Sequence, residues 1–179
     1  MATEPWRNPR PAPNLDAVRS HGAPQSMVPS WLRAWWPAIV WCTLIFLAST
    51  DSLSSDHTSR YFVPLFHRLF PSMSYDTIDL IHHLIRKLAH FVEYFIFFLL
   101  VYRGVRAGRK GFHWSWGFVA WTIAAVYSLS DEFHQTFVPS RGASMWDSLL
   151  DSTAALLALF AVFFLYRYFR RVPPSATEP

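Results

Sequence analysis

Four apolar runs, at roughly 35–50, 88–102, 114–129 and 149–168, alternate with polar segments along the chain. A bilayer core takes about 20 apolar residues as helix, within a range of about 17–25. The fourth run reaches that length unaided. The second and third reach it by continuing through polar neighbours, Arg86 and Lys87 in one case and Asp131 and Glu132 in the other. The second helix should start near Asp76 or Asp79 and end at Arg103. At 1.5 Å per residue it is about 35–40 Å long, more than a hydrocarbon core of about 30 Å. Its first two turns, with His82 and His83, should therefore protrude.

Residues 51–79 form a long connection between the first two runs. Within it Tyr61, Phe62, Leu65, Phe66, Leu69 and Phe70 recur at helical spacing opposite Arg60, His67 and Arg68. This predicts an amphipathic helix lying in the membrane interface, with Pro64 in its first turn or kinking it. Residues 1–34 are Pro-rich and lack an apolar period, so they read as a disordered tail, with 172–179 as a second one. The first apolar run also begins too late for a secretory signal peptide. The expected fold is all-α: an integral membrane four-helix bundle over 35–171, with an extracytoplasmic amphipathic helix between helices 1 and 2.

Composition agrees. Hydrophobic residues make up 52% of the chain and charged ones 16%, against about 25% charged in soluble domains. The single Cys42 excludes an internal disulfide and any multi-cysteine metal site. The net charge of +4 would suit nucleic acid only if the basic residues were gathered for it, and they are sorted along the chain instead. Arg7, Arg10, Arg19, Arg33, Arg103, Arg106, Arg109, Lys110, Arg167, Arg170 and Arg171 fall on one side of the predicted spans. Arg60, Arg68, Arg86, Lys87 and Arg141 fall on the other. Eleven against five places both termini in the cytoplasm.

The polar residues converge at one depth, near the outer surface. Arg86, His90 and Glu93 lie within about 60° on one helix, bordered by Lys87 and Tyr94. Tyr127, Asp131 and Gln135 share a stripe on the next, with Glu132 turned away by about 100°. Asp147 and Asp151 are i,i+4 neighbours on the last, and Ala154 and Ala158 continue their face as a close-packing seam. Cations and acids at one depth can neutralise each other, as burial in a membrane requires. Plainer roles exist for several of them. Ser144 and Asp147 have the spacing of a capping box, Arg86 and Lys87 suit snorkelling, and Arg141 follows a Pro139–Ser140 turn. His90, Glu93, Asp131, Glu132 and His134 carry metal-ligand atoms, yet no HExxH-type spacing occurs, so no metal is assigned. No Walker loop, Rossmann fingerprint or nucleophile elbow is present, and no cofactor is implied.

Arg86-Lys87-x-x-His90-Phe91-x-x-Tyr94, then Ser130-Asp131-Glu132-x-x-Gln135-x-Phe137-Val138-Pro139-x-Arg141, then Asp147-x-x-x-Asp151 resemble the VanZ-like proteins, over about residues 36–164. Asp151 departs from the Asn usual in that family and adds a potential charge. The resemblance implies a small multi-pass protein of the bacterial plasma membrane. Its name-giving member is associated with low-level resistance to teicoplanin, a lipid-tailed glycopeptide antibiotic.

Two classes of function fit these residues. In the first, an outer-facing polar pocket binds a lipid headgroup, a lipid-linked wall precursor or a lipoglycopeptide. Lys87, Arg141, Gln135 and Tyr94 hold the ligand, while Arg86, Asp147 and Asp151 balance charge. In the second, the pocket is that of a hydrolase or transferase acting on a phospholipid or polyprenyl phosphate. His90 is then base or nucleophile, with Glu93, Asp131 and Glu132 as its acidic partners. The partner is a membrane lipid or lipid-linked molecule in either case, and nucleic acid in neither. The sequence leaves open which class holds, and the oligomeric state.

Overall fold

The computed structural model describes residues 29–50, 55–139 and 143–171, with side chains from residue 58 onward in the second stretch. Residues 1–28, Arg141 and 172–179 lie outside the described residues, and with them most of the N-terminal tail and all of the C-terminal one. Five helices follow one another: α1 (Ser30–Ala48), α2 (Ser55–Leu69), α3 (Tyr75–Arg106), α4 (Trp114–Gln135) and α5 (Met145–Arg171). No strand occurs among the described residues. By length and composition α1 and α5 could each cross a membrane. α3 and α4 have the length, at 32 and 22 residues, but carry polar side chains in the turns that meet at one end of the molecule.

α3 is the central element and touches all four others, while α4 and α5 also pack on each other. Its ends are set locally. The Ser74 hydroxyl accepts the Thr77 N–H at 3.3 Å, and Asp76 adds negative charge to the first turn. The far end closes through Ala107 and Gly108 in left-handed conformations, at φ 47° and 79°. The α4–α5 interface is a seam of small residues. Gly117, Ala120, Ala124 and Ser128 of α4 are buried, as are Ser148, Asp151, Ala154, Ala155 and Ala158 of α5. Such stripes let helix backbones approach closely. The close-packing face expected at Ala154 and Ala158 lies in this core.

Beside an apolar core built on Tyr94, Phe98, Val101 and Leu159, the molecule encloses many polar residues. Ser128, Asp131, Glu132, Gln135, Ser148 and Asp151 are enclosed, while Ile39, Leu44, Leu88, Val119, Val126 and Phe164 are exposed. Polar residues inside and a broad apolar exterior suit a lipid surround.

α1 begins at Ser30, within the segment expected to be tail, and runs straight through Pro37. Proline has no N–H, so the carbonyl four residues earlier, that of Arg33, loses its helical donor. Arg103 of α3 supplies the replacement. Its guanidinium donates to the Arg33 carbonyl at 3.0 Å and to the Ala34 carbonyl at 2.7 Å. Trp35 lies flat against α3 at Gly104, where an added Cβ would stand 2.7 Å from the indole. Further along, the Trp41 indole N–H donates to the Glu93 carbonyl at 3.0 Å, and the Tyr127 hydroxyl to the Cys42 carbonyl at 2.7 Å.

α2 is the expected amphipathic helix, although Pro64 sits at mid-length and not in the first turn. Phe62 stacks on Phe66 and faces His82 at 4.8 Å, and the His67 ring stacks on Tyr75. Tyr61, Leu65 and Leu69 remain exposed. His82 belongs to the early turns of α3, before the apolar stretch. Burial, and next the Arg86 charge, hold its pKa below the ordinary 6.5, with Asp79 opposing and His83 adding slightly. The docked state therefore favours neutral imidazole. Its contribution is fully present above pH 6.5 and is lost as pH falls below that value toward the docked-state pKa. Backbone hydrogen exchange across residues 58–66 should accelerate between pH 7.5 and 5.5 beyond its intrinsic pH dependence. His82→Gln should flatten that response; an identical response in the variant would show that His82 is not the sensor.

Candidate functional site

Lys87, His90, Asp131, Glu132, Gln135, Asp147 and Asp151, among the polar residues singled out from the sequence, meet at the end of the molecule where α1 and α4 finish and α3 and α5 begin. Three contacts organise the cluster. Asp131 of α4 is its first anchor. Its Oδ2 accepts from the Ser49 hydroxyl of α1 at 2.8 Å and from the Gln135 amide at 2.9 Å. The second is an ion pair between Lys87 of α3 and Asp147 of α5, both partly exposed. The third is Ser128, whose hydroxyl lies 3.0 Å from Asp151 Oδ2 and 3.1 Å from the Ser148 hydroxyl.

Glu132 points away from Asp131, as the helical wheel requires, and its Oε2 accepts the Ser144 backbone N–H at 2.7 Å. That bond ties the end of α4 to the start of α5. The Ser144 N–H that a capping box would give to Asp147 is thus taken by Glu132, and Asp147 bridges to Lys87 of α3 instead. His90 turns toward α5, with Nδ1 3.9 Å from Asp151 Oδ1. The carboxylate facing the imidazole is thus one first assigned to charge balance. Tyr94 is fully buried within the electrostatic reach of Asp131 and Asp151. Glu93 lines a groove with Trp41, Leu88 and Val92 between α1 and α3, and Arg86 lines another with His82 and Phe62 between α2 and α3. These two stand to the side of the Asp131–Asp151 centre. Arg141, expected to hold an anion, lies outside the described residues.

The described centre is acid-rich. Asp131, Glu132, Asp147 and Asp151 face Lys87, whose charge is already engaged by Asp147. Two enclosed carboxylate oxygens, Glu132 Oε1 and Asp151 Oδ1, find no hydrogen-bond partner among the described residues. Buried carboxylates in that condition require a proton or an external donor. No group of three or more His, Cys, Asp or Glu among the described residues could hold a metal ion.

This order of motifs on four helices has a counterpart among known families. The family model described as VanZ/LLP1 matches residues 34–167. The chain belongs to the VanZ/LLP1 family. The match takes in most of α1, all of α2 to α4 and most of α5, and with them every residue of the cluster. No curated protein and no solved structure matches the chain. Family membership and the two long apolar helices together fit a VanZ-like membrane protein of the envelope.

Several participants in the VanZ-like cluster carried no signal of their own. Ser148 and the Ser144 amide are common residues in a helix start, and only the fold reveals that they face Asp151, Ser128 and Glu132. Ser49 and Ser128 stood in the right segments, but nothing in a sequence says which serine meets which acid.

Proposed function

We propose that this VanZ-like protein spans the membrane four times, with both termini in the cytoplasm, and uses its outer, acid-rich end to bind a donor-rich headgroup. That headgroup belongs to a lipid, a lipid-linked wall precursor or a lipoglycopeptide of the teicoplanin kind. The observation that carries the reading is the pair of buried carboxylate oxygens on Glu132 and Asp151 that lack a donor among the described residues. An ammonium or hydroxyl group supplies one. Lys87, held by Asp147, marks the rim where a phosphate or carboxylate of the same ligand meets a cation. Sidedness rests on the eleven-to-five division of basic residues.

Phosphatidylethanolamine and phosphatidylcholine separate this reading from simple lipid contact, because only the first has N–H donors. Nanodisc-reconstituted protein should retain the ethanolamine lipid in preference. Glu132→Gln and Asp151→Asn should each weaken that preference by roughly 10-fold or more, the equivalent of one hydrogen bond to a charged group at about 1.5–3 kcal/mol. Equal retention of the two lipids by the unaltered protein would reject the reading.

The His90–Asp151 approach supports a second reading, a hydrolase or transferase of outer-leaflet phospholipid or polyprenyl phosphate. Asp151, 3.9 Å from the imidazole, is its acidic neighbour, and His90 serves as base. Mass spectrometry of lipids incubated with the purified protein tests it. Turnover should appear and vanish in His90→Gln, and turnover surviving that change would remove His90 from the chemistry.

A further inference from the structure

The opposite end of the molecule holds a second site, of inverse charge. The first turn of α1 and the last turns of α3 enclose a cleft of about 580 Å³, lined by Ser30, Arg33, Tyr102, Arg103 and Arg106 among others. Three arginines line it and, among the described residues, no carboxylate does. Arg103 is fixed, because two of its N–H groups are spent on the Arg33 and Ala34 carbonyls. No hydrogen bond or ion pair engages the Arg33 and Arg106 guanidiniums among the described residues. Like charges gathered without a counter-ion repel, so the arrangement favours an anion between them.

The helix ends reinforce the charge. α1 enters the cleft by its N-terminus, with no acidic residue in its first turn and no side-chain cap. The N–H groups of Ser30, Trp31 and Leu32 therefore lack helical acceptors and present positive potential. α3 enters by its C-terminus, whose carbonyls would repel an anion, but these are occupied. Arg109 donates to the Arg106 carbonyl at 3.0 Å and to the Val105 carbonyl at 2.6 Å, and the Ala107 N–H reaches the Arg103 and Gly104 carbonyls. Arg109 is itself held over the Trp116 ring at 4.5 Å. A site results in which the positive helix end is open and the negative one closed.

We propose that this cleft binds a phosphate group. The planar forks of Arg33 and Arg106 grip it, and the fixed Arg103 charge stands behind. The chemistry is shared by an anionic phospholipid headgroup and by free phosphate. The proposal is independent of the acid-rich end, whose residues lie at the other extremity of the same helices.

Two probes distinguish the sources, both on the full chain purified and stripped of lipid. The first is native mass spectrometry from nanodiscs of phosphatidylcholine with and without phosphatidylglycerol. The second is the thermal unfolding shift caused by inorganic phosphate. Arginines near a membrane surface contribute about 5-fold each toward anionic lipid, so Arg33→Gln with Arg106→Gln should weaken retention by roughly 25-fold. Arg103 is left in place, so α1 keeps its attachment. The Arg33→Lys, Arg106→Lys pair, which keeps charge but loses the forks, should fall between. Phosphatidylglycerol retention lost in the glutamine pair supports the proposal with lipid as the source. A phosphate-induced shift lost in that pair, without lipid preference, supports it with free phosphate as the source. Absence of both effects in the unaltered protein, or survival of either in the glutamine pair, would overturn it.

Discussion

Replacing Asp131 by Ala should cost the fold about 2–5 kcal/mol and free the end of α1. Two buried donors converge on one oxygen, Asp131 Oδ2: the Ser49 hydroxyl and the Gln135 amide. Ser49 and Gln135 are 2% and 4% exposed, so neither finds water once the acceptor is gone. Each orphaned group costs about 1–3 kcal/mol. Since both bonds end on the same atom, Asp131→Asn keeps them by placing its amide oxygen there. The asparagine variant should therefore unfold within about 0.5 kcal/mol of the original, the ordinary scatter of benign changes. Thermal unfolding in detergent, with disulfide trapping between cysteines placed at the α1 and α4 ends, reads both effects. Equal losses in the Ala and Asn variants would mean that the charge, and not the acceptor, holds the cluster together.

A comparable loss is expected at the opposite kind of site, where there is no room. Ala124 is fully buried on α4. Its neighbours fix the register: Ser128 meets Ser148 and Asp151, Trp121 donates to the Ser152 carbonyl at 3.0 Å, and a Cβ on Gly117 would collide with Leu159. Ala124 thus faces the Ala154–Ala155 stretch with backbone close behind. Three extra carbons from Ala124→Leu must part α4 from α5, at about 1–3 kcal/mol for the overpacking. Separation also stretches the Ser128–Asp151 bond, adding about 1 kcal/mol. Val126→Leu, on the exposed face of the same helix, is the matched control and should change stability by less than about 0.5 kcal/mol. If Ala124→Leu unfolds like that control, the small-residue seam does not set the spacing of α4 and α5.

The sequence was most legible where a regular period met a large physical penalty. Four apolar runs, the amphipathic stripe of α2 and the acidic stripes on α4 and α5 all follow from helix geometry, and each appears as a helix. The angular separation of Asp131 and Glu132 foretold that they would serve different neighbours, Ser49 on one side and the Ser144 amide on the other. Pairings between helices were not legible. Lys87 with Asp147, or His90 with Asp151, depends on how far each helix slides along the next, and periodicity is blind to sliding. Helix ends were misjudged for a related reason. Pro29 and the proline-rich stretch before it made the start of α1 look like coil, and the bond that tolerates Pro37 comes from Arg103 in a distant helix. The arginine cleft was hidden differently: Arg33, Arg103 and Arg106 were counted as topology markers, a role that says nothing of whether they meet.

The Arg103–Arg33 bond also bears on the order in which the chain is assembled. A ribosome delivers α1 first, and the guanidinium that completes its backbone follows 70 residues later. In the proposed four-span arrangement α1 waits in the membrane until then, with that carbonyl answered by interfacial water alone. Only a segment apolar enough to stand alone can wait in that way, and α1 passes that test by itself. α3 then arrives carrying the missing donor on Arg103. Insertion of α3 and completion of α1 then become a single event, which makes the first helix a template and not merely an anchor.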